Sequence, residues 1–119
     1  MRLLFVCVGN SCRSQMAEGI ARSMGHMADS AGTHPAVKVA TNALKVLNSK
    51  GISTKGMKQK NVDSFSDEDY DLVISMGCGV NCPLIRIDDD WGLEDPVGGN
   101  LSKYEATAKE IERRLKLLE

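Results

Sequence analysis

The fold of this chain is decided by the stretch Cys7-Val8-Gly9-Asn10-Ser11-Cys12-Arg13-Ser14, which joins an apolar run to a helical pattern. The preceding run, Leu3 to Val6, is typical of a strand buried on both faces of a parallel sheet. A strand that ends in a glycine-containing turn and opens a helix gathers unpaired backbone N–H groups and the positive end of the helix dipole. That field favours a thiolate at Cys7, and Arg13 adds a planar fork suited to a tetrahedral oxyanion. The stretch therefore predicts a cysteine nucleophile that faces a phosphate-like anion.

Size and composition indicate a single domain, residues 1–119, with a core of its own. The chain has 119 residues, of which 42% are hydrophobic, and a net charge of -1. This charge balance argues against nucleic acid or a membrane surface as partner. The opening run is too short for a signal segment, and no run approaches membrane-spanning length. We therefore expect a cytoplasmic, monomeric protein whose four cysteines serve chemistry rather than a disulfide framework.

Strand and helix patterns alternate along the rest of the chain. An amphipathic helix follows Arg13 and stops at Gly25, and a second helix begins near Pro35 and ends at Gly51. The predicted later elements are a second strand over 26–31, a short helix over 66–70, a third strand over 71–76, a fourth strand over 84–87 and a closing helix from Tyr104 to Leu118. This alternation predicts a parallel α/β sheet with right-handed crossovers.

Two cysteines follow the carboxyl ends of predicted buried strands. Cys7 follows the first strand and Cys78 follows the third. Ligands of such sheets bind outside the carboxyl ends of the strands, at a topological switch point. If the first and third strands are neighbours, both thiols open onto the same crevice.

Several segments together resemble one known family. The loop is followed by Gln15-Met16-Ala17-Glu18-Gly19, and later come Ser30-Ala31-Gly32-Thr33, the pair Cys78 and Cys82-Pro83, and Asp90-Trp91-Gly92-Leu93-Glu94-Asp95-Pro96. In this order they resemble the low-molecular-weight tyrosine phosphatase superfamily, and within it the thiol-coupled arsenate reductases. The resemblance implies a three-layer α/β fold with a four-stranded parallel sheet in the order 2-1-3-4 and helices on both faces.

The resemblance also implies roles for individual residues. Cys7 would attack arsenate, Ser14 would donate a hydrogen bond to its thiolate, and Asp95 would protonate the leaving oxygen. The oxyanion would be held by the loop residues Val8, Gly9, Asn10, Ser11, Cys12, Arg13 and Ser14.

The resemblance also implies that two electrons pass through a relay of thiols. Cys78 would attack the Cys7–arsenic adduct, release arsenite and leave a Cys7–Cys78 disulfide. Cys82 would convert it into a Cys78–Cys82 disulfide, which thioredoxin or a similar thiol donor reduces. Each step is a thiolate attack, so we expect no resident cofactor, only an external thiol reductant.

The chain departs from the family pattern at two places. The distal cysteines are more closely spaced than in the thioredoxin-coupled members, which leaves open the reductant and which of Cys78 and Cys82 attacks first. Some of those members bind a potassium ion near the loop. Asn10, Glu18 and Ser30 match that pattern, but Lys60 stands where an acidic ligand is expected. A lysine amine can replace the cation, so we predict no metal.

Alternative functions remain open from the sequence. The shared loop also suits a phosphatase that hydrolyses phosphomonoesters through a phosphocysteine at Cys7, or a non-enzymatic module that binds an oxyanion or senses thiol state. Asp95-Pro96 is followed by Val97-Gly98-Gly99, without the aromatic residues that wall a phosphotyrosine ring in the phosphatases. A small inorganic oxyanion, arsenate or phosphate, is favoured.

Other roles are open to four residues. Zinc at the Cys78 and Cys82 pair is a weak alternative, because no two further ligands lie nearby in sequence. Cys12 either fills space in the loop or pairs with Cys7 in a protective disulfide. Trp91 is interpreted as a packing anchor for the loop that carries the acid.

Overall fold

A computed structural model describes residues 1–10, 12–34, 39–77, 85–94, 96 and 98–118. The sheet has four parallel strands: β1 (Arg2–Cys7), β2 (Met27–Gly32), β3 (Leu72–Ser75) and β4 (Asp89–Asp90). The α-helices are α1 (Arg13–Ser23), α2 (Thr41–Ser49) and α3 (Leu101–Lys116). Two single-turn 3₁₀ helices, Val62–Ser64 and Asp67–Asp69, precede β3.

The strand order is β2-β1-β3-β4, which confirms the predicted order. β1 lies between β2 and β3, with Phe5 opposite both Ser30 and Ile74. The predicted apolar run Leu3 to Val6 is completely buried, as expected for a central parallel strand. Since β1 and β3 are neighbours and parallel, their carboxyl ends lie side by side, and the Met76 N–H donates to the Val6 carbonyl at 3.0 Å.

Side chains of β1 point alternately to the two faces of the sheet, and each face packs against a different hydrophobic cluster. Leu3 and Phe5 belong to the larger cluster, which includes the buried residues of α1, α2 and α3. Leu4 and Val6 belong to a smaller cluster with Ala31, Val62, Val73 and Ile85, against which Phe65 and Tyr70 pack. In the described part of the chain, α-helices therefore cover one face and 3₁₀ turns cover the other.

Two glycines end helices as the sequence predicts. α1 is capped at Met24 and followed by Gly25 at φ +95°, and Gly51 at φ +76° follows the cap of α2. Only glycine adopts these left-handed values at low cost. The start of α2 differs from the prediction, because Ala40 is extended (φ -61°, ψ 133°) and the helix begins at Thr41. The predicted first turn at 35–38 lies outside the described residues.

The predicted fourth strand is wrong in position. In the described part of the run 84–87, residues 85–87 are not in a strand, and the pairing partners of β3 are Asp89 and Asp90. The pairing is introduced by Asp88, whose N–H donates to the Val73 carbonyl at 2.8 Å and whose carboxylate accepts from the Val73 N–H at 2.7 Å. Ile85 is buried in the smaller cluster, so the apolar residue serves packing while acidic residues form the exposed edge.

Across the ranges that the structure describes, every helix is too short or too polar to span a bilayer.

Candidate active site

The Cys7 side chain lies at the carboxyl end of β1, where the strand enters the loop that opens α1. The residue is 3% exposed. Its sulfur lies 2.9 Å from the Ser14 hydroxyl oxygen, and the Asn10 backbone N–H donates to it at 3.1 Å. Ser14 stands in the first turn of α1, at the positive end of the helix dipole. These contacts favour the thiolate, which is the nucleophilic form of cysteine.

Asn10 determines the direction of these hydrogen bonds. Its Oδ1 accepts from the Lys60 backbone N–H at 2.8 Å and from Gln15 Nε2 at 3.0 Å, which fixes the orientation of the amide. Its Nδ2 therefore donates to Ser14 Oγ, at 2.8 Å. The Ser14 hydroxyl keeps its own hydrogen for donation, and a thiolate at Cys7, which can only accept, would receive it across the 2.9 Å contact. The predicted role of Ser14 as a donor to the thiolate agrees with this geometry.

The backbone of Asn10 adopts φ +50° in a fully buried position. Asparagine enters the left-handed region more readily than most residues. Gln15, also fully buried, supports this turn by donating from Nε2 to the Asn10 carbonyl at 3.2 Å and to the Lys58 carbonyl at 2.7 Å. The loop conformation is thus stabilised by Gln15, a buried side chain in the first turn of α1.

The end of β2 forms one wall of the loop. A Cβ built on Gly32 would lie 2.6 Å from the Val8 carbonyl oxygen and 3.0 Å from the Asn10 nitrogen. Only glycine allows so close an approach. The neighbouring Thr33 and His34 N–H groups donate to the Cys7 and Val8 carbonyls at 3.1 and 2.8 Å. This contact gives a physical reason for the glycine in the Ser30–Thr33 segment.

A buried ion pair lies behind the loop. The Glu18 side chain is 2% exposed and accepts from Lys60 Nζ at 2.7 Å and from Ser30 Oγ at 3.1 Å. Arg22 adds a longer contact at 3.6 Å. The chain's own ammonium thus neutralises the carboxylate that the family pattern assigns to a potassium ion. This donor set does not fit a monovalent cation, since Lys60 already occupies the anionic oxygen.

The Arg13 guanidinium is buried and connects three segments. Arg13 is 5% exposed, and its Nη1 donates to the Met76 carbonyl at 3.2 Å and to the Leu93 carbonyl at 2.9 Å. Met76 follows β3, and Leu93 follows β4. The oxyanion loop is therefore tied to the two segments that lead to the predicted distal cysteine and to the predicted acid.

The remaining described loop residues differ in exposure. Val8 is 38% exposed, whereas Cys12 is 3% exposed and is the N-cap residue of α1. The Cys12 carbonyl accepts the first helical hydrogen bond, from Met16 N–H at 2.9 Å. Val8 and the half-buried Gly9 thus form the accessible side of the loop.

Four predicted site residues lie outside the described residues: Ser11, Cys78, Cys82 and Asp95. The same applies to the zinc hypothesis at the two distal cysteines. The structure does place the segments beside them. Met76 follows β3 and donates to Val6 near the end of β1, and Gly77 comes next in the chain. Glu94 and Pro96 flank the predicted acid. The condition that the first and third strands are neighbours is met.

Trp91 is buried, as expected of a packing anchor. It is 4% exposed, its ring centroid lies 5.6 Å from that of Phe5, and the Arg114 guanidinium lies 5.9 Å from its ring centroid. The backbone N–H of Trp91 donates to the Ser75 carbonyl at 2.9 Å. The segment that follows β4 is therefore fixed to the core at this residue.

Three features of the site were not predicted from the sequence. They are the support that Gln15 gives to Asn10, the anchoring of the loop by the backbone of Lys58 and Lys60, and the tie from Arg13 to two distant carbonyls. A motif of eight residues contains no signal for partners that lie 43 to 80 residues away. Within the motif, only Asn10 could have indicated its backbone conformation, because asparagine favours the left-handed region.

A parallel sheet in the order 2-1-3-4, with a cysteine and an arginine on the loop after its central strand, defines a class of phosphatase-like domains. The chain belongs to the low molecular weight phosphotyrosine protein phosphatase family, whose model matches residues 2–119.

Its relatives include enzymes named for arsenate. It is 36% identical over 124 residues to the glutaredoxin arsenate reductase of Synechocystis sp., covering 98% of this chain and 95% of the relative. It is 34% identical over 121 residues to an arsenate reductase of Staphylococcus aureus strain Newman, covering 92% of this chain and 88% of the relative. A solved structure described as an arsenate reductase in the phosphate binding state superimposes with a TM-score of 0.88 and 37% identity, covering 98% of this chain and 95% of that one.

Proposed function

We propose that this protein is an arsenate reductase that uses Cys7 as nucleophile and passes two electrons through Cys78 and Cys82 to an external thiol reductant. The observation that carries the proposal is the Cys7 sulfur, which receives hydrogen bonds from Ser14 and Asn10 beside the end of the strand that leads to Cys78. The names of the relatives support arsenate as the oxyanion.

In the first step, the Cys7 thiolate attacks the arsenic atom of arsenate. A sulfur–arsenic bond forms, and one oxygen leaves after it accepts a proton from Asp95. The guanidinium of Arg13 and the N–H groups of loop residues 8–14 balance the negative charge of the oxyanion. This step transfers no electrons, so arsenic stays at the +5 level in the adduct.

In the second step, the Cys78 thiolate attacks the sulfur of Cys7. A Cys7–Cys78 disulfide forms and the sulfur–arsenic bond breaks. Its electron pair stays on arsenic, which is released as arsenite at the +3 level. Cys82 then attacks Cys78, frees the Cys7 thiolate and leaves a Cys78–Cys82 disulfide. Two electrons from thioredoxin or a similar dithiol reduce that disulfide and complete the cycle.

A phosphatase is the second candidate, because the family to which the chain belongs is named for phosphotyrosine protein phosphatases. The same Cys7 would form a phosphocysteine, which water would hydrolyse with Asp95 as acid and then as base. This reaction needs neither Cys78 nor Cys82. The Val97-Gly98-Gly99 sequence after Asp95-Pro96 supports a small inorganic oxyanion over a phosphotyrosine ring.

The test compares two reactions in the same set of variants. Purified protein is supplied with arsenate, thioredoxin, thioredoxin reductase and NADPH, and separately with an aryl phosphate. Cys78→Ser and Cys82→Ser are expected to lose arsenate-dependent NADPH oxidation and to retain whatever aryl phosphate hydrolysis the wild type shows. Cys7→Ser is the matched control and is expected to lose both reactions.

Two results would contradict the reductase proposal. One is a wild-type protein that hydrolyses aryl phosphate but oxidises no NADPH with thioredoxin, with a glutaredoxin system or with a low-molecular-weight thiol. The other is full arsenate reduction by Cys78→Ser and Cys82→Ser.

A further inference from the structure

Two segments meet in direct backbone contact at the end of β3. Gly77 adopts φ +87°, and a Cβ built on it would lie 2.4 Å from Gly92 Cα and 2.7 Å from the Leu93 nitrogen. Contacts below 3.0 Å with backbone atoms are not relieved by side-chain rotation. No side chain fits between the segment that leads to Cys78 and the segment that leads to Asp95.

Hydrogen bonds join the same two segments. The Leu93 N–H donates to the Met76 carbonyl at 3.0 Å, and Arg13 Nη1 donates to the Met76 and Leu93 carbonyls at 3.2 and 2.9 Å. We call Arg13, Met76, Gly77, Gly92 and Leu93 the loop clamp. It connects the residue expected to hold the oxyanion with the segments before the expected relay cysteine and before the expected acid.

We propose that Gly77 is a positioning residue, whose contact with Gly92 makes the segment before Cys78 and the segment before Asp95 move as one body. The proposal rests on the function proposed above, because it assigns the relay to Cys78 and proton donation to Asp95. It goes beyond that function by linking the two steps mechanically.

The link follows from chain geometry. A disulfide brings two sulfur atoms to about 2.05 Å, and consecutive Cα atoms are about 3.8 Å apart, so a displacement of Cys78 that rotation about the Gly77 backbone does not absorb also displaces Gly77. Movement of Gly77 toward Gly92 is blocked by the backbone. Movement away from Gly92 breaks the Leu93–Met76 hydrogen bond. In this proposal the acid segment is held while arsenate is attacked, and it is released when formation of the disulfide displaces Gly77.

The first test uses two glycine variants with the same backbone strain. Gly77→Ala adds a methyl group inside the clamp. Gly56→Ala is the matched control, because Gly56 has φ +79° and a Cβ built on it meets nothing within 4 Å. In the full chain, we measure arsenite release in a single turnover, kcat for aryl phosphate hydrolysis, the inhibition constant of inorganic phosphate and the folded fraction.

Gly77→Ala is expected to lower both arsenite release and the hydrolytic kcat by about ten- to a hundredfold, because small displacements of reacting groups have effects of that size. The inhibition constant of phosphate should change by less than about threefold, since a positioning defect affects kcat more than ground-state binding. Loss of hydrolysis is the diagnostic result, because hydrolysis does not use Cys78, the neighbour of the altered residue. Gly56→Ala should retain both rates within about twofold.

The positioning role of Gly77 is refuted if folded Gly77→Ala hydrolyses aryl phosphate as fast as Gly56→Ala. It is also refuted if the decrease in kcat is no larger than the loss of folded protein, which is the result expected of a purely structural role. Absence of arsenate reduction in the wild type would refute the proposed function alone, since the hydrolysis comparison still reports on the clamp.

A measurement on Cys82→Ser, which keeps Gly77 and its contacts, covers the case in which Gly77→Ala does not fold. This variant lacks the thiol that would convert the Cys7–Cys78 disulfide into Cys78–Cys82. It is oxidised with diamide, the Cys7–Cys78 disulfide is mapped by mass spectrometry, and amide hydrogen exchange is compared with the reduced variant. The Leu93 amide is expected to exchange about tenfold faster after oxidation, because its bond to Met76 is lost. Unchanged exchange at Leu93 in the disulfide-bonded protein would overturn the proposal.

Discussion

Replacement of Lys60 by methionine tests the buried ion pair behind the loop. Methionine keeps most of the length of the side chain and removes the charge. Lys60 Nζ lies 2.7 Å from Glu18 Oε1, and the two side chains are 22% and 2% exposed. Loss of one partner of a buried ion pair costs about 3–5 kcal/mol, because the other charge is left without compensation.

The loss for this pair should fall below that range. Ser30 still donates to Glu18, and Arg22 stays 3.6 Å from it, so part of the charge remains balanced. The partial exposure of Lys60 also weakens the original interaction by solvent screening. We therefore expect Lys60→Met to lower the free energy of unfolding by about 2–3 kcal/mol.

Urea unfolding provides the measurement, with fluorescence of the single tryptophan as the signal, since Trp91 is buried against Phe5. Lys50→Met is the matched control. Its partner Glu112 lies 2.5 Å away but is 32% exposed, and exposed pairs contribute about 0–1 kcal/mol. The two lysines differ little in exposure, so the comparison isolates the burial of the carboxylate.

A double-mutant cycle with Glu18→Gln assigns the loss to the pair. The effect of Lys60→Met should become much smaller in the Glu18→Gln background. A loss under about 0.5 kcal/mol in the wild-type background, the usual scatter of surface substitutions, would refute the argument. An equal loss in both backgrounds would refute it as well.

Three further predictions concern the loop and the second face of the sheet. Ser14→Ala removes a hydrogen bond to a charged sulfur, worth about 1.5–3 kcal/mol. The profile of Cys7 alkylation by iodoacetamide against pH should therefore move to higher pH by about one to two pH units. An unchanged profile would mean that the hydroxyl does not stabilise the thiolate. Gly32→Ala places a methyl group against the Val8 carbonyl and the Asn10 nitrogen. This overpacking should lower the free energy of unfolding by about 1–3 kcal/mol and reduce the turnover rate. Wild-type stability and activity in this variant would contradict the close approach. Burial raises the pKa of Tyr70 above its usual value of 10.0, and so does the hydrogen bond that its hydroxyl donates to Asp29 at 2.7 Å. The folded state therefore holds this proton more tightly than the unfolded state, and stability is lost as pH rises above 10. Tyr70→Phe should show a smaller decrease in urea midpoint between pH 9 and pH 11 than the wild type.

The strands and helix ends that could be predicted carry strong local signals. The continuous apolar run of β1 and the glycines after α1 and α2 each identify an element without knowledge of the rest of the chain. β4 could not be located in this way. Its position depends on Asp88, whose backbone and carboxylate both pair with Val73, and an apolar run is a poor guide when it serves packing rather than pairing.

The site was predictable to the extent that it is local. Cys7 and Ser14 lie in one stretch of eight residues, and the family resemblance implied the hydrogen bond between them. The supporting contacts of Gln15 with Lys58, and of Arg13 with Leu93, join residues 43 and 80 positions apart. Such contacts depend on where residues 58–60 and the segment after β4 lie around the carboxyl end of β1, which a motif does not encode.

Within the described ranges, α-helices pack on one face of the sheet and 3₁₀ turns pack on the other, and this difference has a consequence for local unfolding. The smaller cluster is covered by Val62, Phe65 and Tyr70, which belong to two 3₁₀ turns and their flanks. Short turns of this kind have few internal hydrogen bonds and open at a lower free energy than packed helices. A protease added in trace amounts to the native protein should therefore cleave between Val62 and Tyr70 before it cleaves α1. The first cut would expose Leu4 and Val6 and leave the helical face, with Cys7 and its donors, still assembled.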